Sequence, residues 1–113
     1  MFADWSDYER VHADRRNLLI HLLAVPLFDI ALLVALISIA RGEWMLAAVS
    51  VLAAIGSTVL QGIGHAKEAN QPKPFTSPRN FLQRWFAEQY FTFPVFVITG
   101  RWWRQYMTAG ISA

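Results

Sequence analysis

Leu22–Ala40, LLAVPLFDIALLVALISIA, and Trp44–Ile63, WMLAAVSVLAAIGSTVLQGI, separated only by Arg41, Gly42 and Glu43, decide the fold. The first run is 19 residues with a single charge, Asp29, close to the roughly 20 residues a helix needs to cross a bilayer. Its twelve Leu, Ile, Val and Phe residues favour insertion by about 0.3–0.6 kcal/mol each and outweigh the penalty of about 3 kcal/mol for a central Asp. The second run carries no charge. Three connecting residues leave room only for a tight turn, so the two runs form an antiparallel helical hairpin. A soluble bundle with the hairpin buried inside is the alternative; apolar residues all round both segments argue against it.

The rest of the chain is too short to add a second large core. With 113 residues, 55% of them hydrophobic, 16% charged and none cysteine, the composition excludes a disordered chain and a disulfide-built module and leaves room for one domain, residues 1–113. The amino-terminal FADWSDYE begins acidic and lacks the basic region of a cleaved signal, so it is expected to stay on the mature protein. Ser6 and Glu9 have capping-box spacing, which predicts a polar helix from about Asp7 to Asp14 within residues 1–16. Asn17 is then expected to cap the first span, residues 17–40. The second span, 44–65, is followed by a loop, 66–78, in which Pro72, Pro74 and Pro78 forbid a continuous helix. Ser77-Pro78 reads as a new helix start. Phe81, Leu82, Trp85, Phe86, Gln89 and Phe93 recur at helical spacing, so residues 79–113 are expected to form interfacial or re-entrant helices, with Trp102, Trp103 and Tyr106 at headgroup level. The fold class is therefore all-α: an integral membrane hairpin flanked by shorter helices.

Arg10, Arg15 and Arg16 precede the hairpin, Lys67, Lys73, Arg79 and Arg84 follow it, and Arg41 alone lies in the turn. This bias places both ends of the hairpin, and both termini, on the cytoplasmic side of a multi-pass protein. The net charge of +2 then needs no nucleic acid to explain it.

The three histidines, His12, His21 and His65, fall near the ends this topology brings together. For a turn at Gly42–Glu43, positions summing to about 86 share a depth, which sets His21 opposite His65. In one continuous helix His12 and His21 would lie about 180° and 13.5 Å apart, so a shared site requires a break between Ala13 and Leu18. Neutral imidazole suits Fe, Zn, Cu or Ni, and Asn17, Gln61 or Glu68 is placed to orient a second ring nitrogen. Glu68 is alternatively a ligand itself. For each histidine alone, an interfacial residue with a satisfied hydrogen bond is the plainer reading; convergence of all three favours a metal. Asp29, about 12 Å deeper than His21, faces Ser57 and Thr58 by the same depth rule, either as a structural pairing or as a contact for a proton or substrate hydroxyl.

Tyr8-x3-His12-x4-Asn17-x3-His21-x4-Pro26, then Gly64-His65-x2-Glu68-x-Asn70-x-Pro72 after two apolar spans, resembles the Mpo1-like family of small membrane proteins. The resemblance covers about Tyr8 to Trp103. It implies an iron(II)-dependent dioxygenase that shortens 2-hydroxy fatty acids by one carbon with O2, with His12, His21 and His65 as the metal ligands and Tyr8, Asn17 and Glu68 as further catalytic residues. A lipid tail lying among the span residues and a polar head stopping at the interface suit that chemistry, and Arg15, Arg16, Lys67 or Arg84 is available to neutralise a carboxylate. Two other classes remain at this point: a haem-binding or electron-carrying hairpin with His21 and His65 as axial ligands, and a membrane module without catalysis.

Overall fold

In a computed structural model, which describes residues 4–110, two long helices pair along their length and five shorter helical segments gather around one end. α1 spans Trp5–Arg10, α2 Arg15–Ala40 and α3 Trp44–Ala66. After a loop come α4 (Pro78–Ala87), a π-helical turn (Glu88–Thr92), α5 (Phe93–Ile98) and α6 (Arg101–Thr108). Residues 1–3 and 111–113, which belong to the expected polar and interfacial segments, lie outside the described residues.

The hairpin seam is written in small residues. On α2 the buried positions Asn17, His21, Ala24, Phe28, Ala31, Ala35 and Ser38 alternate at four and three, and on α3 Ala47, Ser50, Ala54, Ser57, Gln61 and Gly64 alternate at three and four. That 3.5-residue period is the signature of helices coiling left-handedly around each other. Ala, Ser and Gly let the backbones approach: a Cβ at Gly64 would run into the Asn17 side chain, 3.2 Å from its Cγ. Gly42 makes the turn at φ +70°, a left-handed conformation that favours glycine.

Both long helices are long and apolar enough to cross a bilayer, and the rest of the chain does not cover them: 33% of the most apolar part of α2 and 22% of that of α3 is buried. Leu23, Ile30, Met45 and Leu52 all point outward, exposed. A soluble bundle would bury these faces.

Several local expectations are corrected. α1 ends at Arg10 rather than Asp14, and its cap is Asp4, whose carboxylate accepts from Ser6 N–H at 3.0 Å; the Ser6/Glu9 box does not form. α2 is capped by Asp14, which accepts from Arg16 N–H at 2.8 Å, so Asn17 sits inside the helix, fully buried. Asp29 does not meet Ser57 or Thr58. Those hydroxyls instead donate to backbone carbonyls, Ser57 to Ala24 at 2.5 Å and Thr58 to Ala54 at 3.0 Å. The Asp29 carboxylate turns toward a groove between α2 and α5 lined by Val25, Pro26, Phe93 and Pro94. Trp102 is buried, donating its indole N–H to Leu18 O at 3.0 Å, and only Trp103 keeps the exposure of a headgroup residue.

The new helix does begin at Ser77-Pro78, with Ser77 Oγ accepting from Asn80 N–H. Pro94, which has no N–H and would crowd the carbonyl four residues back in an α-helix, is preceded by the wider π turn Glu88–Thr92. The helical run therefore continues to Ile98, and Gly100, at φ +81°, turns it into α6.

Candidate metal centre

The chain breaks between α1 and α2, at Val11–Asp14, upstream of most of the expected window. Glu68 holds the break. Its carboxylate accepts from Ala13 N–H at 2.8 Å, from Asp14 N–H at 3.1 Å and from Asn17 Nδ2 at 2.7 Å. Backbone donors that the break frees from a helix must find partners when buried, and one carboxylate from the end of α3 supplies them. From the other side Gln105 of α6 donates to Glu9 O and His12 O at 2.9 and 3.0 Å, and Arg15 donates to Tyr106 O and Ala109 O while stacking on the Tyr106 ring. Burial pushes the Glu68 carboxyl above the usual carboxylate range, opposed by these hydrogen bonds.

With the chain so bent, the three histidines meet. Their ring centroids form a near-equilateral triangle of 5.1 Å (His12 to His21), 4.8 Å (His12 to His65) and 4.7 Å (His21 to His65), each pair close to perpendicular. His12 and His21 are 2% and 1% exposed. His12 Nδ1 lies 2.8 Å from Tyr8 O and His21 Nδ1 lies 3.0 Å from Asn17 O. A carbonyl only accepts, so in each neutral ring Nδ1 carries the proton and Nε2 a bare lone pair. His12 Nε2, His21 Nε2 and His65 Nδ1 are buried and have no hydrogen-bond partner. One nitrogen from each ring lies within 4.8 Å of the others. Burial first, and then the neighbouring imidazoles, holds His12 well below its ordinary pKa, hence neutral. Neutral, orphaned, converging imidazole nitrogens are the donor set a divalent transition metal takes. Nitrogens about 2.1 Å from one ion are at most about 4.2 Å apart, so the rings would have to draw together from a spread of up to 4.8 Å to share one.

The expected orienting groups are corrected. Backbone carbonyls, not Asn17, Gln61 or Glu68 side chains, fix the His12 and His21 rings. Glu68 is committed to the chain break and lies outside the cluster of three histidines. The Gln61 amide pairs reciprocally with Gln89, at 2.9 and 2.8 Å, beneath the site. A haem is not accommodated between His21 and His65: axial imidazoles lie on opposite faces of the macrocycle, whereas these rings meet edge to face at 4.7 Å with His12 against both.

The triad opens into a cavity of about 780 Å³ whose walls include Tyr8, Trp85 and Glu88, with Lys73 and Arg84 among its outer residues. Tyr8 stacks on His12 at 4.0 Å and donates its hydroxyl to Glu88 Oε1 at 2.6 Å. Burial pushes the Glu88 carboxyl up to about 7 despite that bond, and raises the Tyr8 hydroxyl as well. Glu88 escaped the helical periodicity, which sets it apart from the apolar face; the π turn re-aims it inward, and Pro94 was the available signal. Of the four cations considered for a carboxylate, Arg15 is engaged with the carboxy-terminal carbonyls and Arg16 pairs with Asp14 at 2.8 Å; Arg84 is the one of the four that lines the cavity, beside Lys73, and it too is held, donating to Pro74 O and Lys73 O and lying over the Phe75 ring.

Comparison with curated proteins and with solved structures found no match to this chain. Comparison with protein families matches residues 2–97 to the family described as 2-hydroxy-palmitic acid dioxygenase Mpo1-like. That span includes the three histidines, Glu68 and Glu88, and stops before α6. The order and spacing of Tyr8, His12, Asn17, His21, His65 and Glu68, folded into one clasped triad, agree with that match over most of the chain: it belongs to the Mpo1-like family.

Proposed function

We propose that this protein is a membrane-embedded, metal-dependent dioxygenase that shortens 2-hydroxy fatty acids by one carbon, with both ends of its hairpin on the cytoplasmic side. One observation carries the reading: three neutral imidazoles, each with a buried, unpartnered ring nitrogen, converge on one point at the wrapped end of an apolar hairpin. The family description supports the substrate class, and the excess of Lys and Arg at that end supports the orientation.

His12 Nε2, His21 Nε2 and His65 Nδ1 would hold iron(II). Bound there, the ion supplies open positions for a chelating hydroxy acid and for O2, and the electrons that activate O2. The chain's own residues do the rest. Tyr8 O and Asn17 O keep two rings in the ligating tautomer. Glu68 and the Asn17 amide keep the bend that brings His12 to the site. Tyr8 covers one face of His12. Arg84 and Lys73 place positive charge toward the open end, where a carboxylate is drawn in from water. The apolar outer faces of the hairpin leave the lipid tail in a medium as apolar as itself.

The test is metal analysis and O2 uptake on purified protein in detergent or nanodiscs. About one iron per chain and O2 uptake dependent on 2-hydroxypalmitate are expected, with both lost in His65→Ala. Equal metal content in wild type and His65→Ala would overturn the site.

A further inference from the structure

Glu88 stands out among the polar groups of the cavity. The neighbours' hydrogen-bonding capacity is largely taken: the Gln61 amide by Ser57 and Gln89, the Thr58 hydroxyl proton by Ala54 O, and the Tyr8 hydroxyl proton by Glu88 itself. Glu88 accepts from Tyr8 through Oε1 only, and no hydrogen bond to its second carboxyl oxygen and no ion pair to it are formed among the described residues. Asp7, by contrast, sits at the exposed rim and is paired with Arg10 at 2.8 Å. The Tyr8 ring bridges Glu88 to the triad, its hydroxyl on the carboxyl and its face against His12 at 4.0 Å. A pinned carboxyl with one unclaimed acceptor oxygen, facing a cavity that holds the triad, recognises a hydrogen-bond donor. Because carboxylates repel each other and Lys73 and Arg84 lie toward the outer end, the same carboxyl turns an acid's own carboxylate away from itself.

We propose that Glu88, held by Tyr8, is the specificity-determining residue that accepts a hydrogen bond from the 2-hydroxyl group of the substrate and so separates 2-hydroxy acids from plain fatty acids. The proposal rests on the substrate class given above. An ionised plain fatty acid offers no donor at that position and leaves the Glu88 oxygen desolvated without a partner. A site built to pair a hydroxyl rejects the analogue that lacks it more strongly than an apolar pocket rejects a missing methylene.

The experiment is anaerobic competition binding of 2-hydroxypalmitate and palmitate to the iron-loaded full chain in nanodiscs at about pH 8.5, where the Glu88 carboxyl is ionised and no turnover contributes. The wild type is expected to prefer 2-hydroxypalmitate by about tenfold or more, the range for a hydrogen bond to a charged group. Glu88→Leu should lower that ratio about tenfold, through weaker hydroxy-acid binding and tighter palmitate binding, with iron content unchanged and chelation by the hydroxy acid left as the remaining preference. If Glu88→Leu does not fold, Glu88→Gln decides, since it keeps the Tyr8 contact and puts an NH2 donor where the free acceptor oxygen was: a fall of about threefold or more in the ratio supports the proposal. A full ratio in both variants, an equal loss of affinity for both acids, or a wild type that binds the two alike overturns it. Selective binding of 2-hydroxypalmitate without O2 uptake would sink the dioxygenase reading and leave the hydroxyl contact standing.

Discussion

The two halves of the hairpin are built from one pattern of helical spacing and carry different chemistry. Toward the turn the seam is Ala31, Ala35 and Ser38 against Ala47 and Ser50, and the outward side chains, Leu36, Ile37, Trp44 and Met45 among them, are exposed. Toward the chain ends the same seam positions are Asn17, His21, Ser57 and Gln61, all buried, under a cover that includes Tyr8, Phe93, Phe96 and Trp102. The first half has a packing problem only, solved by small residues in contact and, on the function proposed, by bilayer outside. The second buries polar groups, and most have a partner; among the described residues the exceptions there are the three ring nitrogens of the triad and the adjoining Asn17 Oδ1, with Asp29 Oδ1 deeper in the hairpin. Unsatisfied groups are costly in an apolar setting, so their concentration at one point marks where the molecule is organised around something other than its own stability.

The largest effect expected from breaking this contrast lies at Glu68. Glu68→Ala removes the acceptor of Ala13 N–H, Asp14 N–H and Asn17 Nδ2 together. It should destabilise the protein by about 3 kcal/mol and lower iron occupancy with it, since His12 depends on that bend. Glu68→Gln, which keeps one acceptor oxygen but turns an NH2 toward a donor, should fall between. Denaturant titration and metal analysis on the same preparations check this. Wild-type occupancy in Glu68→Ala would show that the bend is held elsewhere.

A smaller effect belongs to the other half. Ala35 is 2% exposed in the seam, so Ala35→Leu forces the two backbones apart and should cost about 1–3 kcal/mol. The triad is 14 residues away, about 21 Å along the helix, and iron stoichiometry in folded protein should stay near one. Stability falling without loss of iron identifies a packing half and a chemical half; iron lost in proportion to stability would show that the hairpin behaves as one unit.

How much of this was legible in the sequence divides along the same line. The turn half follows from composition and length alone: nothing but an antiparallel hairpin connects two apolar runs through Arg41-Gly42-Glu43. At the wrapped end the residues that meet were legible, because depth along a hairpin is arithmetic and His21 and His65 sum to 86. The need for a break beside His12 was legible too, from helical geometry. What holds the break was not. Caps are decided by competition among nearby acceptors, and Asp4 and Asp14 prevailed over Ser6 and Asn17 through contacts of two residues' range. Glu68 reads as a ligand or an orienting group until the backbone donors at Ala13 and Asp14 are seen to need it. Glu88 was hidden for another reason: helical periodicity assumes 3.6 residues per turn, and the π turn before Pro94 changes the phase at that residue.

The smallest effect concerns pH and separates the halves by their titratable groups. Glu88, with its carboxyl pushed up to about 7 by burial, binds its proton more tightly folded than unfolded, where an ordinary Glu titrates near 4.5. Between about pH 4.5 and 7 the unfolded chain releases that proton first, so this group's contribution is fully present below 4.5 and is lost as pH rises through about 7. His12 works in the opposite direction: held neutral when folded, it contributes stability above the ordinary histidine pKa, lost as pH falls below it. The two slopes partly cancel in the wild type, and comparison with Glu88→Gln isolates the first. Gln retains an acceptor for the Tyr8 hydroxyl and cannot ionise. In metal-free protein the melting temperature of Glu88→Gln should therefore match the wild type near pH 4.5, exceed it increasingly up to pH 7 and run parallel above. A constant difference across the whole range would mean that Glu88 does not titrate within it, and that the pH dependence of the wrapped end comes from its other groups.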